Sequence, residues 1–295
     1  MKQSEIEGII EKRFGKINAA FDNVRMHLSE DEIRLFRVKV KKLAACLHLL
    51  DAEKDYAHPI KVPQKITKTY QLAGTIRMLQ MQQYKIQKTL KGKQVIAPEA
   101  YLKLISDEIL QHISAFNKHL KGIKPFKKEE EKVSALLPKH LSQKTVQQFI
   151  QSNGDTIEKL LAPVFLPDQS FHEVRKLLKN LLYISPYLEI DISTLTPYAL
   201  LSTYEDIDAF TIVLGGFHDL DTAIACLHIT SRKIETDESE KAVLRNIENL
   251  WVKERESFRK KIYEEIEKIT TSGRPAEPLV KWPVMELPVQ QIQLI

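Results

Sequence analysis

The chain is poor in several residue types, and each shortage narrows what it can be. Two cysteines in 295 residues, Cys46 and Cys226, argue against a disulfide-stapled scaffold. Each lies in an apolar helical stretch, where a buried reduced thiol is the expected state. Glycine is scarce, at 9 residues, while Leu, Ile, Lys, Glu and Gln dominate. That favours helices, because straight-chain side chains lose little rotamer freedom there. Aromatic residues make up only 7% and do not interleave with the cations, so no base-stacking platform is evident and nucleic acid is not an expected partner. No apolar run reaches the length of a bilayer span, and no membrane partner is expected. The opening MKQSEIEGII has no apolar core followed by a small-residue cleavage site, which makes a cytoplasmic location the default expectation. P-loop, G-x-G-x-x-G, G-x-S-x-G, H-E-x-x-H and C-x-x-C motifs are all missing. No stretch alternates as a strand would.

A helical pattern remains nearly throughout. Ile6, Ile9, Ile10, Phe14, Ile17 and Phe21 predict an amphipathic helix over 3–28. Ser29 opens S-E-D-E, a capping box that starts a second helix running to about Leu50. A third covers about 64–91 and stops at Gly92; Pro98 opens a fourth, to about Leu120. Further helices are expected at 142–162, 168–188, 205–230 and 237–270. The segment GIKPFKKEEEKVSALLPKH reads as a charged, solvated connector or a short helix. The Pro-containing tail from Gly273 reads as an extended strap against the body. The class is all-α, divided as a first helical half (1–123), a connector (124–140), a second half (141–271) and a tail (272–295).

The halves resemble each other. IRLFRVKVKKLAACLHLL (33–50) aligns with SFHEVRKLLKNLLYISPYL (170–188), setting Arg34 on His172, Arg37 on Arg175 and Lys41 on Lys179. Further on, AGTIRMLQ (73–80) aligns with LGGFHDLD (214–221), setting Gly74 on Gly215 and Arg77 on His218. Two blocks in the same order imply duplication into two similar four-helix bundles. On a helical wheel His172, Arg175, Lys176 and Lys179 fall within about 100° of arc, opposite Val174, Leu177, Leu178 and Leu181. Arg34, Arg37 and Lys41 do the same in the first copy, with Lys42 at the edge. Val38 and Ala45 interrupt that basic side, so another helix is expected to wall it. Carboxylates at four-residue steps are nearly missing, apart from Asp31 near Arg34. Cations crowded without acids repel one another, and an anion would relieve them.

The pattern H-x-x-R-(x)3-K with a following Tyr (His172, Arg175, Lys179, Tyr183), and L-G-x-x-H-D-x-D over Leu214 to Asp221, resemble the CHAD family, the conserved-histidine α-helical domain. The resemblance covers about 3–270. It implies an all-helical fold with a basic central cavity that binds inorganic polyphosphate, often in company with other proteins at polyphosphate granules. It implies no catalysis and no cofactor. Carried over, the binding positions are Arg34, Arg37, Lys41, Lys42, Arg77, His172, Arg175, Lys176, Lys179 and His218. Some positions depart from the family. Arg34 replaces a histidine, Ala44 and Leu182 stand where arginine is common, and Met78 and Gln80 replace the acidic pair kept as Asp219 and Asp221. Two rival readings stay open: a divergent fold serving as a protein-interaction module, and a metal phosphohydrolase of the HD type built on His218-Asp219 with His172 and Asp237.

Overall fold

Helix boundaries follow the local chemistry of the chain. In the computed structural model, which describes residues 1–53, 59–92, 96–123, 125–188, 192–196, 198–234 and 237–271, α1 spans Gln3–Met26 and α2 Glu30–Asp51. The Ser29 hydroxyl accepts from Glu32 N at the start of α2. A cap of this kind is worth about 1 kcal/mol. α3 (Gln64–Leu90) and α4 (Glu99–Leu120) are each followed by a glycine at positive φ, Gly92 at 77° and Gly122 at 78°. Such a conformation suits glycine and stops a helix. The short α5 is Lys127–Ser134, and α6 (Gln143–Leu161) begins at the Ser142 cap. α7 (Asp168–Ile184), α8 (Tyr204–Ser231) and α9 (Glu238–Thr271) complete the fold, with three short 3-10 turns between α7 and α8. Among the described residues there are nine helices and no strand, so the fold is all-α. Four long helices precede α5 and four follow it.

The apolar stripes place these helices. α1 buries Ile6, Ile10, Phe14, Ile17 and Phe21 against α2. α2 in turn packs on α3 and, with its other side, on α7. α7 is flanked by α6 and α8, and α8 lies along α9. The α2–α7 pair therefore joins the halves, as the apolar interruptions of their basic sides required. A second cluster joins them elsewhere, bringing Leu79, Ile86, Tyr101 and Ile105 to Leu220, Ile247 and Trp251. Burying a side chain of this size contributes about 1.5–3 kcal/mol, so both seams are strongly held.

Two expectations need correction. The segment after α4 takes the short-helix form of the two expected and is packed rather than solvated. Phe126, Val133 and Leu137 are buried, Phe126 lies 4.7 Å from Phe21, and its N–H donates to Asn18 Oδ1 of α1 at 2.9 Å. The charges of α5 mislead because its two apolar anchors are spaced for one face only. α8, in contrast to the reading of the sequence, is apolar and long enough to cross a membrane by composition. Ile207, Phe210, Leu214, Phe217 and Leu220 are instead core residues of this fold. The expected strap from Gly273 lies outside the described residues.

The chain's start is tied across the molecule. The Met1 ammonium donates to Leu141 O at 2.9 Å, and Leu141 N returns a bond to Met1 O at 3.0 Å.

Gly216 sets how closely α8 approaches α9, since a Cβ there would run into the Phe258 ring. Overpacking of this kind costs about 1–3 kcal/mol. Gly216→Val is expected to lower the urea midpoint accordingly with little change in helical circular dichroism. An unchanged midpoint would show that the helices have room to spare.

Candidate functional site

The repeated arginines are held by the same device in each half. Arg37 leaves α2 toward α3, where its Nη1 donates to Tyr70 O at 2.8 Å and its guanidinium covers the Tyr70 ring at 4.0 Å. Arg175 leaves α7 toward α8, and its Nε donates to Thr211 O at 3.3 Å. Each accepting carbonyl sits four residues before a glycine, Gly74 and Gly215. A Cβ on Gly74 would overlap the Arg37 guanidinium, and one on Gly215 would stand 3.1 Å from Arg175 Nε. A helical carbonyl has a second lone pair beyond its intrahelical bond. Glycine lets the guanidinium reach it. Gly216 allows close helix approach, whereas Gly74 and Gly215 make room for a cation.

Lys41 joins the two. It stays open to solvent, yet nearby protein atoms and then the charges of Arg37, Arg175 and Arg77 push its ammonium down to about 8, with Asp219 acting the other way. One cation thus feels both halves. Arg37 is also shifted downward, first by burial and then by Arg77, against the opposing influence of Tyr70. His172 and His218 stack, with ring centroids 4.6 Å apart and planes 39° from parallel. Both are pushed below their ordinary value. For His172 the leading cause is burial, with Arg175, Lys176 and Lys41 adding to it and Glu173 opposing. For His218 it is burial, then His172 and Arg175, with Asp219 and Asp221 opposing. His172 Nδ1 is buried and has no hydrogen-bond partner among the described residues.

The other positions stand apart from this group to different degrees. Arg77 is committed to α2, its Nη1 donating to Glu30 O at 2.8 Å and its Nη2 lying 3.5 Å from Glu30 Oε1. Lys179 pairs with Asp208 of α8 at 2.5 Å. Arg34 is exposed beside Asp31, at 3.6 Å, and Lys176 is exposed beside Glu173, at 3.5 Å. Lys42 lies over the Tyr183 ring at 5.4 Å and turns toward α1. Asp221 accepts from Arg255 of α9 at 3.0 Å, which fits a structural role for the second-half acids.

Sequence reading missed two participants. Tyr70, under Arg37, carries no local signal. Arg13 is 5% exposed on α1, donates to Tyr183 O at 3.4 Å and covers the Tyr187 ring at 4.6 Å. Its signal was present: it sits three residues after Ile10 and four before Ile17, on the apolar face.

Compared with known proteins, residues 8–228 match the family model described as CHAD domain. Among solved structures the fold is similar to the CHAD domain from the plant Ricinus communis, with a TM-score of 0.70 at 16% identity, covering 93% of each chain. It is also similar to PptA from Streptomyces chartreusis, with a TM-score of 0.66 at 14% identity, covering 89% of this chain and 98% of that one. No curated protein matches the sequence.

Lys41 costs stability where it stands. Its folded pKa of about 8 lies below the ordinary 10.5, so the penalty is complete below pH 8 and fades as pH rises from about 8 toward 10.5. Lys41→Met is therefore expected to raise the melting temperature at pH 7 and low salt. A lower melting temperature would mean that neither the crowding of its ammonium nor repulsion burdens Lys41.

Proposed function

The chain belongs to the CHAD family, and from that premise we propose that it binds inorganic polyphosphate, unaltered, between cations of its two halves. The observation that carries this reading is the pair Arg37 and Arg175. Each is seated on the backbone of a neighbouring helix, each lacks a carboxylate partner among the described residues, and Lys41 lies within the field of both. Side chains fixed in this way lose little freedom on meeting a ligand. A guanidinium presents a planar fork to phosphate oxygens, and the Lys41 ammonium supplies a point charge. Orthophosphate offers one set of oxygens, whereas a linear polymer can meet cations from both halves at once.

The histidine pair fits the same ligand. Two imidazoles held neutral by burial and neighbouring cations gain protons when an anion arrives, and each protonated ring then donates to phosphate. Binding is thus coupled to proton uptake. No bond is made or broken in this proposal, which assigns the protein a noncatalytic role in the cytoplasm, with proteins of polyphosphate granules as its further partners. The enzyme alternative needs Asp237 beside the histidines. Asp237 Oδ1 instead accepts from Glu240 N and Ser239 Oγ at the start of α9, both at 2.7 Å, and His172 stacks on His218. The interaction-module alternative draws on the departures at Ala44, Met78 and Leu182, of which Leu182 is a core residue, 2% exposed.

Titration with long-chain polyphosphate at two salt concentrations is the test, with single-stranded DNA and orthophosphate as comparisons. Affinity for polyphosphate should be the highest and should fall with salt as counterions are released. Arg37→Gln with Arg175→Gln should lower it at least a hundredfold with the helical circular dichroism kept. Unchanged affinity would remove the assigned site, and equal affinity for all three polyanions would reduce it to a charged surface.

The pH profile is a separate test. Burial and neighbouring cations push both histidines below their ordinary value in the free protein, and a bound anion should raise them again. Affinity should therefore increase as pH falls from 7.5 to 6, and the increase should vanish in His172→Gln with His218→Gln. A flat wild-type profile would contradict the role of the pair.

A further inference from the structure

A second group of cations lies mostly outside the motif positions and shares only Lys42 with them. Lys12, Arg13 and Lys16 fall within about 100° of arc on α1. Lys39 and Lys42 lie close to them on α2. The charges acting most on Lys16 are Lys12, Lys39 and Arg13, and those acting most on Lys42 are Arg13, Lys39, Lys16 and Lys179. All are positive. Arg13 forms the floor of the group. Among the described residues it has no carboxylate partner, and its buried Nε has no hydrogen-bond partner. A buried cation left without an acid is costly, as is a run of lysines held over it. Neither the apolar packing of α1 on α2 nor the Arg13 bond to Tyr183 O needs those lysines. Fold stability therefore does not explain the cluster.

The cluster is continuous with the central site. Lys42 follows Lys41 on α2, and Lys42 also feels Lys179 of α7. We propose that Lys12, Lys16, Lys39 and Lys42, above the buried Arg13, form a second anion-binding face that takes a further segment of the polymer held at the centre. This rests on the polyphosphate reading above. A long chain would occupy both faces, and its second contact would be intramolecular at high effective concentration. A short chain would reach the centre alone. Chain-length preference then resides on α1 and the adjoining side of α2, meeting the repeated motif only at Lys42.

The experiment compares tripolyphosphate with long-chain polyphosphate on three proteins: wild type, Lys16→Glu with Lys39→Glu, and Lys144→Glu with Lys159→Glu on α6. Both variants change the net charge equally at residues outside the core. The first pair should weaken long-chain binding at least tenfold and leave tripolyphosphate within about twofold. The α6 pair should change long-chain binding much less. An equal loss in both variants would overturn the second face in favour of net charge alone. So would an equal loss for short and long chains, or no loss in the first pair. If wild type binds neither polymer, the polyphosphate reading itself falls and takes the second face with it. Wild-type binding that the first pair does not alter overturns only the second face.

Discussion

Like charges held together at the α2–α7 seam are the constraint around which the molecule is arranged. Besides the protein atoms that crowd it, Lys41 feels Arg37, Arg175 and Arg77 at once, with Asp219 acting against them. Such a group survives because the apolar packing beneath it is extensive. Leu43, Leu47, Leu178 and Leu181 are almost fully buried on the opposite sides of the same helices. The core therefore carries the cost of the repulsion. Arg37 and Arg175 are also anchored, each by a carbonyl that glycine leaves accessible. The result is positive charge that is fixed in place and neutralised poorly, a surface set up in advance for an anion.

The halves share the anchoring of their arginines and differ in what surrounds it. In the first half Arg77 is tied to Glu30 at the start of α2. In the second half the aligned position is His218, whose ring is free to stack on His172. The α7 start is held from elsewhere, with Arg259 of α9 2.7 Å from Asp168. Both halves thus contribute permanent charge, and the second adds histidines whose charge depends on pH. Under the proposed function, such a site would bind its anion in neutral conditions and hold it more strongly as pH falls.

Much of this could be read in the sequence. Ser29, Gly92, Pro98 and Gly122 mark helix ends because caps and breakers act locally. The all-α class follows from periodicity, and the central cations stand out because their spacing recurs. The rest depended on contacts between distant residues. His172 and His218 lie 46 residues apart, and nothing local places one ring on the other. Arg77 matched a motif position, but its bond to Glu30 depends on how α3 crosses the start of α2. α5 looked solvated because its charges outnumber Phe126 and Val133, which decide where it sits. Arg13 could have been noticed as a cation among the apolar positions of α1, but its aromatic partner, Tyr187, comes from the other half.

The most direct measurement is a crystal structure with a short linear polyphosphate bound. Phosphate groups bridging Arg37 and Arg175 beside Lys41, with His172 or His218 donating to the chain, are the predicted result. Phosphates found only on exposed surface lysines, with no anion between the two arginines, would contradict the account.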